Sequence, residues 1–234
     1  MATFVLVHGA WLGGWCYQRV ARLLRRAGHE VYTPTLTGLG ERAHLTHASI
    51  SLDTHIDDVL GVMRWEGLSD IVLCGHSYGG IVISGVTEKA VENIRSLVFL
   101  DAFVPENGQC HMDLFPLEYA QLMRQDAQEN GEGYKLTPPP PERVNLNAGD
   151  VEWAKTMLVK HPLASFEHKL ALTGCCQRVA RRTYILATGW SSPFEKFARR
   201  FEQDLTWNVK RIDCGHIVML DRPKELADML AAAA

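Results

Sequence analysis

The stretch that most constrains this chain is Cys74-Gly75-His76-Ser77-Tyr78-Gly79-Gly80. It follows Asp70-Ile-Val-Leu-Cys74, a short apolar run rich in β-formers and bounded by turn residues, which predicts a buried strand. It precedes Ile81–Ala90, long enough for a helix. A serine with a glycine two positions away on each side, set between a strand and a helix, predicts a sharp turn in which larger side chains would collide. Such a turn lifts the hydroxyl clear of the sheet. At a helix N-terminus, the helix dipole and the free N–H of Tyr78 favour negative charge on a nearby oxygen. The bland alternative is a glycine-rich turn with an incidental serine; the order strand, turn, helix argues against it.

The rest of the chain reads as support for that turn. Thr3–His8 is an apolar strand running into His8-Gly9-Ala10-Trp11-Leu12-Gly13-Gly14-Trp15. The glycines do not make the dinucleotide fingerprint, and no acidic residue ends the next strand. The loop suits instead a backbone N–H that must approach a substrate unobstructed. A helix follows, with Val20, Leu23, Leu24 and Ala27 on one face and arginines 19, 22, 25 and 26 on a solvated one. A second strand, Glu30–Thr33, leads into a long polar loop, Thr35–Leu52, a candidate wall of the site. Asp53 or Thr54 caps the next helix, and Ser96–Leu100 is a further buried strand ending in Asp101. Strands alternating with helices predict a doubly wound, mostly parallel sheet of about six strands.

The alternation stops at Pro105 and resumes near Arg181. Between them lie helical patterns around Leu117–Gln128 and Val151–His161, separated by a glycine-rich turn and Pro138–Pro141. The expected organisation is therefore an α/β core, 1–104 and 181–234, with a helical cap, 105–180, inserted over the carboxyl end of the sheet. A strand Thr183–Ala187, a helix Phe194–Glu202, a strand Trp207–Ile212 and a terminal helix Pro223–Ala233 complete the core.

Composition narrows the function. The 234 residues carry a net charge of −3 with mixed signs and no basic stripe, which argues against nucleic acid. No apolar run reaches the roughly 20 residues of a membrane span, and no signal peptide is read at the N-terminus. Six scattered cysteines without C-x-x-C suit a reduced, cytoplasmic setting. His44 and His47 share a loop without a partner cluster, so neither metal nor organic cofactor is expected. A homodimer is open to such a chain.

A serine hydroxyl is a weak nucleophile and needs an adjacent base. His216, after the last strand and just ahead of the terminal helix, is the candidate, with Gly215 allowing a tight turn. His76 neighbours Ser77 in sequence, but the turn points adjacent side chains apart. His8 ends a buried strand and reads as structural or pocket-lining.

These stretches together resemble the α/β-hydrolase superfamily. More narrowly, Phe4–Trp15, Gly75–Gly80, Ala102-Phe-Val-Pro105, Trp153–Val159 and Gly215–Met219 are similar to the plant methylesterase and hydroxynitrile-lyase group and its bacterial carboxylesterase relatives. The resemblance implies an insertion after the sixth hydrolase strand, Ser77 as nucleophile, His216 as base, and the N–H groups of Ala10 and Tyr78 as oxyanion hole. It implies a serine carboxylesterase acting on small to medium esters through an acyl-enzyme. The alternatives are a lyase-like or other non-hydrolytic enzyme, or a ligand-binding protein on the same fold. The lyases carry threonine and lysine where this chain has Gly9 and Ile217, and binding proteins of this fold typically lose a catalytic residue. Trp11, Phe103, Phe115 and Trp153 are candidate pocket residues.

The acid is the point of departure. In the plant enzymes it follows the strand corresponding to Thr183–Ala187, but Thr188–Phe194 contains no carboxylate. Asp101 ends the strand after the turn helix, where certain haloalkane dehalogenases of the superfamily place theirs. It is preferred here to Glu195, with Asp213 behind both; the competing reading of Asp101 is a helix cap.

Overall fold

The computed structural model describes all residues 1–234. The buried apolar runs form a six-stranded sheet, β1 (Thr3–Val7), β2 (Glu30–Tyr32), β3 (Ile71–His76), β4 (Ile94–Leu100), β7 (Arg181–Ala187) and β8 (Trp207–Ile212). Every pairing within it is parallel, in the order β2-β1-β3-β4-β7-β8. A parallel sheet must cover both faces, and the alternation along each strand shows how. Phe4 and Leu6 of β1 join one core, with α1 (Gln18–Arg26) and α9 (Pro223–Ala232). Val5 and Val7 join the other, with α2 (Leu52–Trp65), α3 (Gly79–Ala90) and α7 (Glu195–Glu202). Strand order reverses between β1 and β3, and open α/β sheets bind ligands outside the carboxyl ends of their strands at such a switch point.

Between β4 and β7 the chain forms α4 (Leu117–Asn130), a small antiparallel pair of β5 (Lys135–Leu136) with β6 (His161–Pro162), α5 (Val151–Met157) and α6 (Leu163–Glu167). The helical pattern expected over Val151–His161 stops at Met157. Leu158 is extended, with ψ at 140°, and the next N–H, of Val159, donates 3.1 Å to the carbonyl of Trp11. Tertiary pairing with the loop after β1 overrides helix propensity there.

Three expectations need correction. The loop Thr35–Leu52 is no wall of the cavity described below. Its Leu36, Leu39 and Ile50 are buried in or under the core, and Thr37 and Arg42 tie it to Asp58 of α2. The cap of α2 is Ser51, whose N–H donates 3.2 Å to the Thr54 hydroxyl, so Thr54 serves from inside the helix. Among the arginines of α1, Arg19 is not simply solvated. It makes a bidentate pair with Asp150, both contacts 2.6 Å, and reaches the carbonyl of Leu220 at 3.0 Å, stitching the inserted segment to the core. The last short helix, α8 (Val218–Asp221), supplies that carbonyl. No helix is long and apolar enough to cross a membrane.

Candidate active site

The turn between β3 and α3 is as tight as its glycines demand. A Cβ on Gly75 would run into the carbonyl of Gly79, and one on Gly79 would sit 2.7 Å from the carbonyl oxygen of Val7. The first turn of α3 therefore lies directly against the end of β1. Ser77 is held at φ 53°, a left-handed conformation that non-glycine residues adopt at a cost of order 1–3 kcal/mol. Its carbonyl is fixed by the N–H groups of Gly80, at 3.0 Å, and Phe103, at 3.2 Å. Gly9 packs beside it: a Cβ there would fall 3.0 Å from Ser77 Cβ and 2.8 Å from His76 Nδ1, so threonine at this position would collide with the turn. The N–H groups of Ala10 and Tyr78 donate to no carbonyl of the chain.

His216 lies on the loop after β8. Its N–H donates 2.9 Å to the carbonyl of Val144, and its own carbonyl accepts 2.9 Å from His76 Nε2. The ring is packed by His76 (4.4 Å between centroids), Trp190 (4.7 Å) and Phe194 (5.3 Å, stacked). Its Nδ1 lies 2.6 Å from Oδ2 of Asp101. Asp101 is fully buried just past β4, at φ 42°. Its Oδ1 accepts from the N–H of Ala187 at 3.1 Å, and Oδ2 also accepts from Trp190 Nε1 at 3.0 Å. No helix begins at Asp101; the next helical turn is at Met112. Burial pushes this carboxyl up and the imidazole down, while the Ala187 and Trp190 donors favour the carboxylate. At 2.6 Å the two charges would also stabilise each other, opposing burial on both sides.

The other carboxylates are elsewhere. Glu195 pairs with Arg211 at 3.0 Å and Arg199 at 3.1 Å, and Asp213 is exposed. Trp190 was not singled out in the sequence. Its only signal is an N–H-bearing aromatic in the loop where a carboxylate was sought.

A cavity of about 710 Å³ opens over the turn. Ser77, His216, Ala10, Trp11, Phe103 and Phe115 all line it, together with the Pro138–Pro141 run from the inserted segment. Trp153 does not. Its indole is 40% exposed on α5, edge-on to Trp15 at 5.1 Å with Arg19 over its face; its neighbour Ala154 lines the cavity in its place. Tyr78 does not line it either, its side chain being buried in the core.

Behind the turn three buried histidines are locked neutral by their partners. His8 donates from Nδ1 to the Gly9 carbonyl (2.8 Å) and accepts at Nε2 from the Leu36 N–H (3.1 Å). His55 accepts at Nδ1 from the Tyr78 hydroxyl (2.9 Å) and donates to the Thr37 carbonyl (3.0 Å). His161 pairs with Ser165, whose hydroxyl is committed to the Pro162 carbonyl, and accepts 3.4 Å from the Trp11 N–H. A second proton on any of them would break an acceptor contact. Burial holds His8 and His55 down at about 4 from an ordinary 6.5. The unfolded chain then binds more protons than the native one between about pH 6.5 and 4, so stability is lost as pH falls through that window. Each of the two should contribute about 1.4 kcal/mol per pH unit. Urea midpoints measured from pH 7.5 to 4.5 should drop steeply below 6.5; a flat profile would show these rings are not held neutral.

Residues 4–229 match the alpha/beta hydrolase family. The chain belongs to that family. It is 47% identical over 241 residues to a carbendazim-hydrolysing esterase of Nocardioides sp. strain SG-4G, covering 99% of both chains. It is 26% identical to methylesterase 10 of Arabidopsis thaliana, over 97% of this chain and 90% of that one. Among solved structures it resembles an extracellular α/β-hydrolase of a Paenibacillus species, described as sharing structural and functional homology with tobacco salicylic acid binding protein 2. There the TM-score is 0.88 at 25% identity, with 100% and 99% of the chains covered. Ester hydrolysis is the chemistry this kinship supports.

Proposed function

We propose that the protein is a serine carboxylesterase in which Ser77, His216 and Asp101 act as one unit. The observation that carries the reading is the 2.6 Å contact of His216 Nδ1 with buried Asp101, in a cavity that both His216 and the strained Ser77 line. Asp101 holds the imidazole as the Nδ1–H tautomer, leaving the Nε2 lone pair to accept the serine proton. Ser77 Oγ attacks the ester carbonyl, and the N–H groups of Ala10 and Tyr78 receive the developing oxyanion, aided by the N-terminus of α3. His216 then protonates the leaving alcohol and activates the water that hydrolyses the acyl-enzyme. Segment 105–180 is its cap, closing the cavity with Phe115 and the proline run. Ile217 lines the cavity where the resembled lyases carry lysine, which favours hydrolysis over cyanide release. Four of the six unpaired cysteines are buried, which supports a reducing, cytoplasmic setting.

The test is a panel of esters graded in acyl and alcohol size, with carbendazim, the compound named for the Nocardioides relative, included. Small and medium esters with an aromatic part should be turned over, with rates falling once the substrate outgrows the cavity. No turnover anywhere in the panel would remove the reading.

A further inference from the structure

His111 stands apart from the other buried histidines. His8, His55, His76, His161 and His216 each hold at least one hydrogen bond within the chain. His111 holds none, and its Nδ1 is sealed from solvent. The ring is caged by aromatics. It stacks on Phe166 at 3.7 Å and lies edge-on to Phe103 at 4.9 Å, with Phe115 at 5.2 Å and Tyr119 at 5.9 Å. Burying a polar ring among aromatics without a partner is unfavourable, and phenylalanine would fill the same space without that cost. His111 nevertheless lines the cavity, on a wall it shares with Phe103, Phe115 and Tyr119. The wall is continuous with the reacting centre, because the Phe103 N–H holds the Ser77 carbonyl and its ring packs 4.6 Å from Phe194, which stacks on His216.

We propose that this wall is a subsite for a flat, uncharged aza-aromatic group of the ester, which lies against Phe103, Phe115 and Tyr119 on the cavity side and hydrogen-bonds through a ring nitrogen to Nε2 of His111. Nε2 is the nitrogen open to a ligand, since Nδ1 is sealed. Burial holds the imidazole down at about 3, so it stays neutral at working pH and offers no charge to a carboxylate or an ammonium group. The aromatic faces then supply stacking, and the imidazole supplies the polar discrimination that a purely hydrocarbon pocket lacks. This inference rests on the esterase reading.

The experiment compares isosteric pairs: methyl esters of quinoline-carboxylic acids against methyl naphthoates, and quinolinylmethyl against naphthylmethyl acetates. All ring isomers are included, so the side of the ester entering the subsite need not be fixed beforehand. The wild type should favour at least one aza-aromatic isomer over its naphthyl counterpart by about 10- to 100-fold in kcat/KM. Within the His111→Phe variant the aza-aromatic to naphthyl ratio of kcat/KM should fall to about one whatever its absolute rates, and within His111→Gln, which retains hydrogen-bonding capacity, part of the preference should survive. A wild type that hydrolyses naphthyl esters with no preference for any isomer would overturn the subsite and leave the esterase reading standing. So would a His111→Phe variant that keeps the preference. Failure to hydrolyse either series, with smaller esters still turned over, would likewise overturn the subsite alone; no turnover of any ester would overturn both.

Discussion

Replacing Ser77 with alanine should lower kcat by about 10⁶-fold, about 8 kcal/mol of transition-state stabilisation, without weakening the fold. The Oγ takes part in none of the chain's own hydrogen bonds and Ser77 lines the cavity, so its removal leaves no buried group unsatisfied. The left-handed backbone at φ 53° is strained for serine and alanine alike and changes little on substitution. Thermal and urea midpoints should therefore match the wild type within about 0.5 kcal/mol. The residual rate, about 10³–10⁴ over water in comparable enzymes, is what the oxyanion N–H groups and binding provide without a nucleophile. A serine-directed phosphonate should label the wild type once and the variant not at all. Near-normal turnover in Ser77→Ala would mean that the strained turn is structural and the chemistry lies elsewhere.

The fold, and the nucleophile and base of the proposed relay, were legible for physical reasons. A doubly covered parallel sheet writes itself as continuous apolar runs, and Phe4–Val7, Ile71–Cys74 and Leu97–Leu100 are such runs. The tight turn at Ser77 admits few residue types, so it leaves a short, dense signature. His216 was found from its place after the last strand. What escaped notice depends on tertiary contacts that no local pattern announces. Trp190 bonds Asp101 across 89 positions, and the cage around His111 gathers Phe103, Phe115, Tyr119 and Phe166 from separate elements. The loop Thr35–Leu52 looked like a wall because it is long and polar. Buried Leu36, Leu39, Ile50 and Leu52 and the ties to Asp58 make it part of the scaffold. Trp153 illustrates the limit of composition: a large aromatic beside a cavity segment lies on the outer face, because a seven-residue helix can turn only one side inward.

Asp101→Asn should cost about 10⁴ in kcat, and the hydrogen bonds around the carboxylate explain why no rearrangement rescues it. Three donors converge on its two oxygens: the Ala187 N–H on Oδ1, and Trp190 Nε1–H with His216 Nδ1–H on Oδ2. An amide supplies one acceptor oxygen and one donor group. If the oxygen stays toward Ala187, the NH₂ faces Trp190 and His216, and the imidazole escapes the clash only by shifting its proton to Nε2. That tautomer cannot accept the Ser77 proton. If the amide turns over, its NH₂ meets the buried Ala187 N–H, and an unsatisfied donor costs about 1–3 kcal/mol of stability. The variant should thus be both slow and measurably less stable. Loss of the carboxylate also leaves burial of His216 unopposed by a negative charge, so imidazolium forms less readily. The acid limb of the residual kcat/KM should move to lower pH than in the wild type. Glu195→Gln is the control: Glu195 sits at the start of α7 paired with Arg211 and Arg199, and its loss should leave turnover within about twofold. An Asp101→Asn enzyme retaining most of its activity, with its acid limb unmoved, would remove Asp101 from the relay. The 2.6 Å contact with His216 would then be a packing feature of the strand end.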